Sequence, residues 1–149
     1  MARQVDVAGK PPLARRAVAV GRLELGTATR RAVARRTVPK GDPIAAGELA
    51  GLLAMKRTAE LIPHCHAVAL TASRVDLAVG PRGVTARAEA SALDRTGVEM
   101  EALVGATVAL LTVWDMVKYL EKDARGLYPH TRLGPVRLVA KEKHSLRAP

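Results

Sequence analysis

The stretch 67–93, AVALTASRVDLAVGPRGVTARAEASAL, holds two runs of strand-forming residues separated by Gly80, Pro81, Arg82 and Gly83. Gly and Pro at those positions demand a turn, so the runs 67–79 and 83–93 are predicted to be the arms of an antiparallel hairpin. Upstream, Asp42 can cap free amide groups and Pro43 is tolerated in a first turn, which together start a helix. It is predicted to run to about residue 61 and stop at Pro63, burying Ile44, Leu49, Leu52, Leu53 and Met55. Further upstream, 26–42 is basic and turn-rich, with a short helix ending before Pro39. Before it, 16–25 alternates, with Ala17, Ala19, Gly21, Leu23 and Leu25 on one side and Val18, Val20, Arg22 and Glu24 on the other. That period of two is a strand. Downstream of the hairpin, a long helix follows Gly97 to about residue 123, then a loop through 124–135 and a short last strand, 136–140.

The resulting order, β-α-β-β-α-β, is that of the split βαβ arrangement: an α+β, ferredoxin-like two-layer sandwich with an antiparallel sheet and its helices on one face. The 149 residues can bury a core without disulfides or a structural metal, and 1–149 is read as one domain. With no Phe and only Trp114, Tyr119 and Tyr128 as aromatics, that core must be made of Ala, Val and Leu. The long helix carries no charge from Ala102 to Trp114. A helix apolar all round must be covered on every side, and one sheet covers only one. A homo-oligomer is therefore expected.

One cysteine cannot form an internal disulfide, and the opening MARQVDVAGKPPLARR has no apolar run of the signal-peptide kind, so a cytoplasmic protein is expected. The uncharged run of the long helix falls short of the roughly 20 apolar residues that span a bilayer, and no membrane segment is expected. The formal charge of +10 implies a polyanionic partner: nucleic acid, an acidic membrane face or a phosphorylated small molecule. Three aromatics make a poor stacking platform for single strands, which argues against nucleic acid. A non-catalytic basic nucleic-acid-binding module remains the alternative reading.

Two groups of residues could carry chemistry. His64, Cys65 and His66 are consecutive; at the entrance of a strand the imidazoles would point one way and the thiol the other, a poor grip for one ion. No second cysteine, CxxC or HExxH accompanies them, and no metal is expected. On the long helix, Glu99 and Glu101 stand at the amino end, where the macrodipole favours negative charge. At 100° per residue, Val104, Val108, Leu111, Asp115 and Lys118 form one stripe. Asp115 and Lys118 are then either an ordinary i,i+3 ion pair or, beside a cleft, a carboxylate holding a lysine protonated as a general acid.

The segments KRT, LIPHCH, TGVEMEAL, WDMVK and GPVRLVAK, in this order along nearly the whole chain, resemble the cyclic pyranopterin monophosphate synthase family, molybdenum cofactor biosynthesis protein C. The resemblance implies a ferredoxin-like subunit in a hexamer, a trimer of dimers with active sites at subunit interfaces. It implies a lyase that turns 3',8-cyclo-7,8-dihydro-GTP, made by a radical enzyme one step earlier, into cyclic pyranopterin monophosphate and pyrophosphate, with no cofactor. By the same resemblance Asp115 and Lys118 are catalytic, Lys118 as an acid. His64, Cys65 and His66, then Met100 and Glu101 with Glu99 beside them, contact substrate. Lys40, Lys56, Lys141 and Arg15 are the basic residues near it, suited to a triphosphate. For Lys56 and Arg57 the alternative is a pair of solvated helix-end cations. The chain departs from the family pattern at His64, where Leu is usual, at Ala67, where Pro is usual, and at Arg95, where Lys is commoner. A tail EKHSLRAP also replaces a Gly-rich, Lys-containing one.

Overall fold

The computed structural model describes residues 1–145. The predicted hairpin is present: β2 (Leu70–Gly80) and β3 (Gly83–Asp94) pair antiparallel, closing at Gly80 opposite Gly83. Gly83 is held at φ +148, and a Cβ there would lie 1.8 Å from the carbonyl oxygen of Leu23 on β1 (Leu13–Glu24). Only glycine lets the turn and β1 approach this closely. β1 pairs antiparallel with β3 over its whole length, Ala17 opposite Ala90 and Ala19 opposite Ala88. On its other side β1 meets the two-residue β4 (Arg132–Leu133) and then β5 (Arg137–His144). Reading across, the long strands run β2, β3, β1, β5, the antiparallel order of a ferredoxin-like sheet.

Helix α1 (Thr27–Ala34) fills the basic, turn-rich segment. Helix α2 (Pro43–Lys56) starts as expected: the Asp42 carboxylate accepts from the amides of Ile44 at 2.9 Å and Ala45 at 3.3 Å, with Pro43 in the first turn. It does not reach residue 61. The buried Thr58 hydroxyl donates to the carbonyls of Ala54 and Met55, turning the chain at Arg57, and the single turn α3 (Thr58–Leu61) follows as a separate piece. α4 (Glu99–Glu121) is the long helix. It is long and apolar enough to cross a membrane by length and composition, but half of its most apolar window is buried within the fold.

The core is the interface between α2, α4 and the alanine-rich face of the sheet. Small residues set its thickness. A Cβ on Gly51 of α2 would lie 2.8 Å from the carbonyl of Gly105 on α4, and one on Gly105 would lie 2.5 Å from Met55. On the opposite sheet face, Arg16 bonds Glu89 at 2.6 Å and Glu142 at 2.5 Å. That pairing carries β5 past residue 140, where the sequence alone ends the strand, through His144. β4 was not expected either: it needs Leu23 and Glu24 of β1 as partners, and Arg132 to Glu24 at 2.8 Å. The last four residues of the basic C-terminal tail, 146–149, lie outside the described residues.

Candidate active site

Seven of the residues singled out from the sequence meet at one end of α4. His64, Cys65 and His66 line an open cleft of about 450 Å³ together with Glu99, Met100 and Glu101 from the first turn of α4 and Lys141 from β5. The His64–His66 segment is not the first part of a strand, since β2 begins only at Leu70. In a loop the strict alternation of side chains does not apply, and all three reach the cleft. Among the described residues no group of three His, Cys, Asp or Glu side chains is placed to hold a metal.

The two glutamates of the cleft are driven apart in acidity. Glu101 is 4% exposed, and burial, aided by the charges of Glu99 and Asp94, pushes its carboxyl above the usual range although its own backbone N–H opposes this. Burial also works on Glu99, but the bond from Lys141, its own amide and the charges of Lys141 and Arg15 outweigh it and hold Glu99 below the usual range. One carboxyl thus holds its proton more tightly than an ordinary glutamate and the other gives it up more readily, a separation that suits acid/base chemistry. Gly97 leaves room for the Glu99 carboxylate where it stands: a Cβ there would lie 1.8 Å from one of its oxygens. The Cys65 thiol is pushed up by burial and then by Glu101, which keeps it protonated and a poor nucleophile.

A second cluster stands toward the other end of α4. Lys118 Nζ lies 2.6 Å from Asp115 Oδ1, and Lys40 Nζ lies 3.2 Å from Oδ2 and 3.0 Å from the Asp115 carbonyl. The Asp115 carboxylate is held low by the bond from Lys118 and then by Lys40, and the same bond holds Lys118 protonated. These side chains are exposed, Asp115 by 59%. Fourteen residues along the helix separate Asp115 from Glu101, about 21 Å at the α-helical rise. Within one chain the two clusters do not meet.

The remaining candidates are peripheral. Arg15 donates to the carbonyls of Asp94 at 3.4 Å and Arg95 at 3.1 Å, bracing the loop before α4 and adding its field to Glu99. Lys56 borders a smaller hollow on the other side of Val68 and Glu101. Sequence reasoning missed Thr96, Gly97, Val68 and Leu138 as cleft walls. The TG before VEMEAL is the only local signal for two of them; Val68 and Leu138 reach the site through tertiary packing.

A sequence model described as the MoaC family matches residues 4–144. Curated relatives named "Probable cyclic pyranopterin monophosphate synthase" are similar over 95% of this chain. The protein of Archaeoglobus fulgidus is 46% identical over 141 residues, covering 90% of its own length. That of Pyrococcus abyssi is 45% identical over 141, covering 89% of its length. That of Methanosarcina acetivorans is 46% identical over 142, covering 90%. With a cleft built from HCH and EME, an Asp115–Lys118 pair on the same helix, and this similarity running almost end to end, the chain belongs to the MoaC family.

Proposed function

We propose that this chain, acting as one domain over 1–149, is a cytoplasmic cyclic pyranopterin monophosphate synthase of molybdenum cofactor biosynthesis. Its substrate is 3',8-cyclo-7,8-dihydro-GTP, its products are cyclic pyranopterin monophosphate and pyrophosphate, and its working form is a homo-oligomer, a hexamer built of dimers. The names of the relatives support the reaction. The observation that carries the rest is the layout of α4: a half-site toward each end, joined by an outward stripe of Met100, Val104, Thr107, Val108 and Leu111. Leu111 is 45% exposed, and Leu49 and Leu53 of α2 add to the uncovered apolar surface.

Glu101 and Asp115 stand seven residues either side of Val108. Two copies of α4 packed antiparallel about Val108 bury both stripes and set Asp115, Lys118 and Lys40 of one protomer against the glutamates and histidines of its partner. In that composite site Lys118, kept protonated by Asp115, supplies a proton, and Glu101, whose proton burial holds more tightly, exchanges another. Lys40, Lys141, Lys56 and Arg15 offset the charge of the triphosphate, whose inner phosphorus is attacked from within the molecule as pyrophosphate departs. Incubating the protein with the cyclised nucleotide should yield a pterin and free pyrophosphate. Lys118→Ala should keep the oligomer, by light scattering, and lower turnover by about a hundredfold or more. Unchanged turnover in that variant defeats the assignment.

A further inference from the structure

The N-terminal segment, which the reaction above does not use, is fastened across the wall of the cleft. Gln4 Nε2 donates to the carbonyl of Cys65 at 2.7 Å, His66 Nε2 lies 2.7 Å from the carbonyl oxygen of Val5, and Arg95 Nε donates to the carbonyl of Lys10 at 2.9 Å. The strap is folded upon itself between these points by the Asp6 carboxylate, which accepts from the amide of Ala8 at 2.8 Å, and by the Lys10 amide donating to Val7.

A carbonyl oxygen can only accept, so the bond to Val5 requires the hydrogen of His66 to sit on Nε2. A neutral imidazole has one hydrogen, which leaves Nδ1 with its lone pair free. Among the described residues no hydrogen bond reaches Nδ1, and the ring lines the cleft. We propose that the strap of Gln4 and Val5 is a positioning element that locks His66 as the Nε2–H tautomer, so that Nδ1 serves as the hydrogen-bond acceptor for a substrate hydroxyl or ring N–H. This rests on the cleft being the active centre. Gln4 acts one step further out, by anchoring the loop at Cys65 so that the Val5 carbonyl stays within reach of the ring. His64, whose place is usually Leu in the family, has no such bond among the described residues and is not part of the device.

The test is a two-bond proton–nitrogen correlation spectrum of histidine-labelled full-length protein at about pH 9, where imidazoles are neutral. The four histidines are assigned by single substitutions. His66 should show Nε2–H with a lone-pair shift at Nδ1, and its Nε2 proton should exchange about tenfold more slowly than that of the exposed His144. Gln4→Ala should abolish that protection and lower kcat/KM several-fold. Gln4→Glu should do the same, because a carboxylate of equal length cannot donate to Cys65. An Nδ1–H tautomer, or an Nε2 proton in the wild type exchanging as fast as that of His144, overturns the proposal. The spectrum needs no substrate, so a protein without synthase activity would overturn the reading of the reaction while the lock still stands or falls on its own signal.

Discussion

At the residue scale the cleft is governed by how differently two neighbouring carboxyls feel burial. Glu101 binds its proton more tightly in the folded chain than in the unfolded one. Its contribution to stability is therefore fully present below the unfolded carboxyl value of about 4.3 and is lost as pH rises through the raised folded value. Glu101→Gln cannot ionise, so thermal melts should show a higher Tm than wild type at about pH 8 and a gap that closes by about pH 3. A gap of the same size at both extremes would mean that shape, not charge, sets the difference. Asp115 runs the other way. Its carboxyl is held low by Lys118 and Lys40, so what the pair contributes is present above the unfolded carboxylate value and disappears as pH falls through the depressed one. Much of this was readable from residue identity: HCH, the two glutamates and the Asp115–Lys118 spacing were all visible. The Glu99–Lys141 bond was not, because it joins a helix start to a distant strand through the pairing of β5 with β1.

At the element scale α4 and α2 approach through glycine. With Gly51 against the Gly105 carbonyl and Gly105 against Met55, neither position has room for a methyl group. Gly105→Ala should cost about 1–3 kcal/mol of stability by chemical denaturation, the range of an overpacked core. Met55 is flexible, so the double variant Gly105→Ala with Met55→Leu should recover part of it. Capping and turn chemistry, alternation and an uncharged run make α2, α4, the hairpin and β1 legible in the sequence, but not which face of α2 is buried: Leu49 and Leu53, expected inside, are 60% and 48% exposed, and Gly47, Gly51, Ala54 and Met55 face the core instead. The elements that escaped, the break at Arg57, the short β4 and the extension of β5, have no local signal. They exist because Thr58 finds carbonyls, Arg132 finds Glu24 and Glu142 finds Arg16.

At the scale of the whole molecule the net charge of +10 is unevenly committed. Arg16, Arg74, Arg87 and Arg132 are paired within the chain, whereas Lys40, Lys118 and Lys141 hold the carboxylates of the two half-sites. If each active centre draws one half-site from each protomer, two inactive variants should rescue one another. Mixing Lys118→Ala and Glu101→Gln chains with subunit exchange forms mixed dimers in half of the pairings, each with one intact centre, so about a quarter of wild-type turnover should return. No recovery after exchange verified by mass spectrometry would place both half-sites in a single chain. The rigid rod that carries a half-site toward both extremities has a mechanical corollary for such a pair. If one rod slips lengthwise past its twin by some fraction of an ångström, both centres are misaligned by that same amount. A bound nucleotide that corrects the alignment at one therefore corrects it at the other, and the two catalysts share a single ruler.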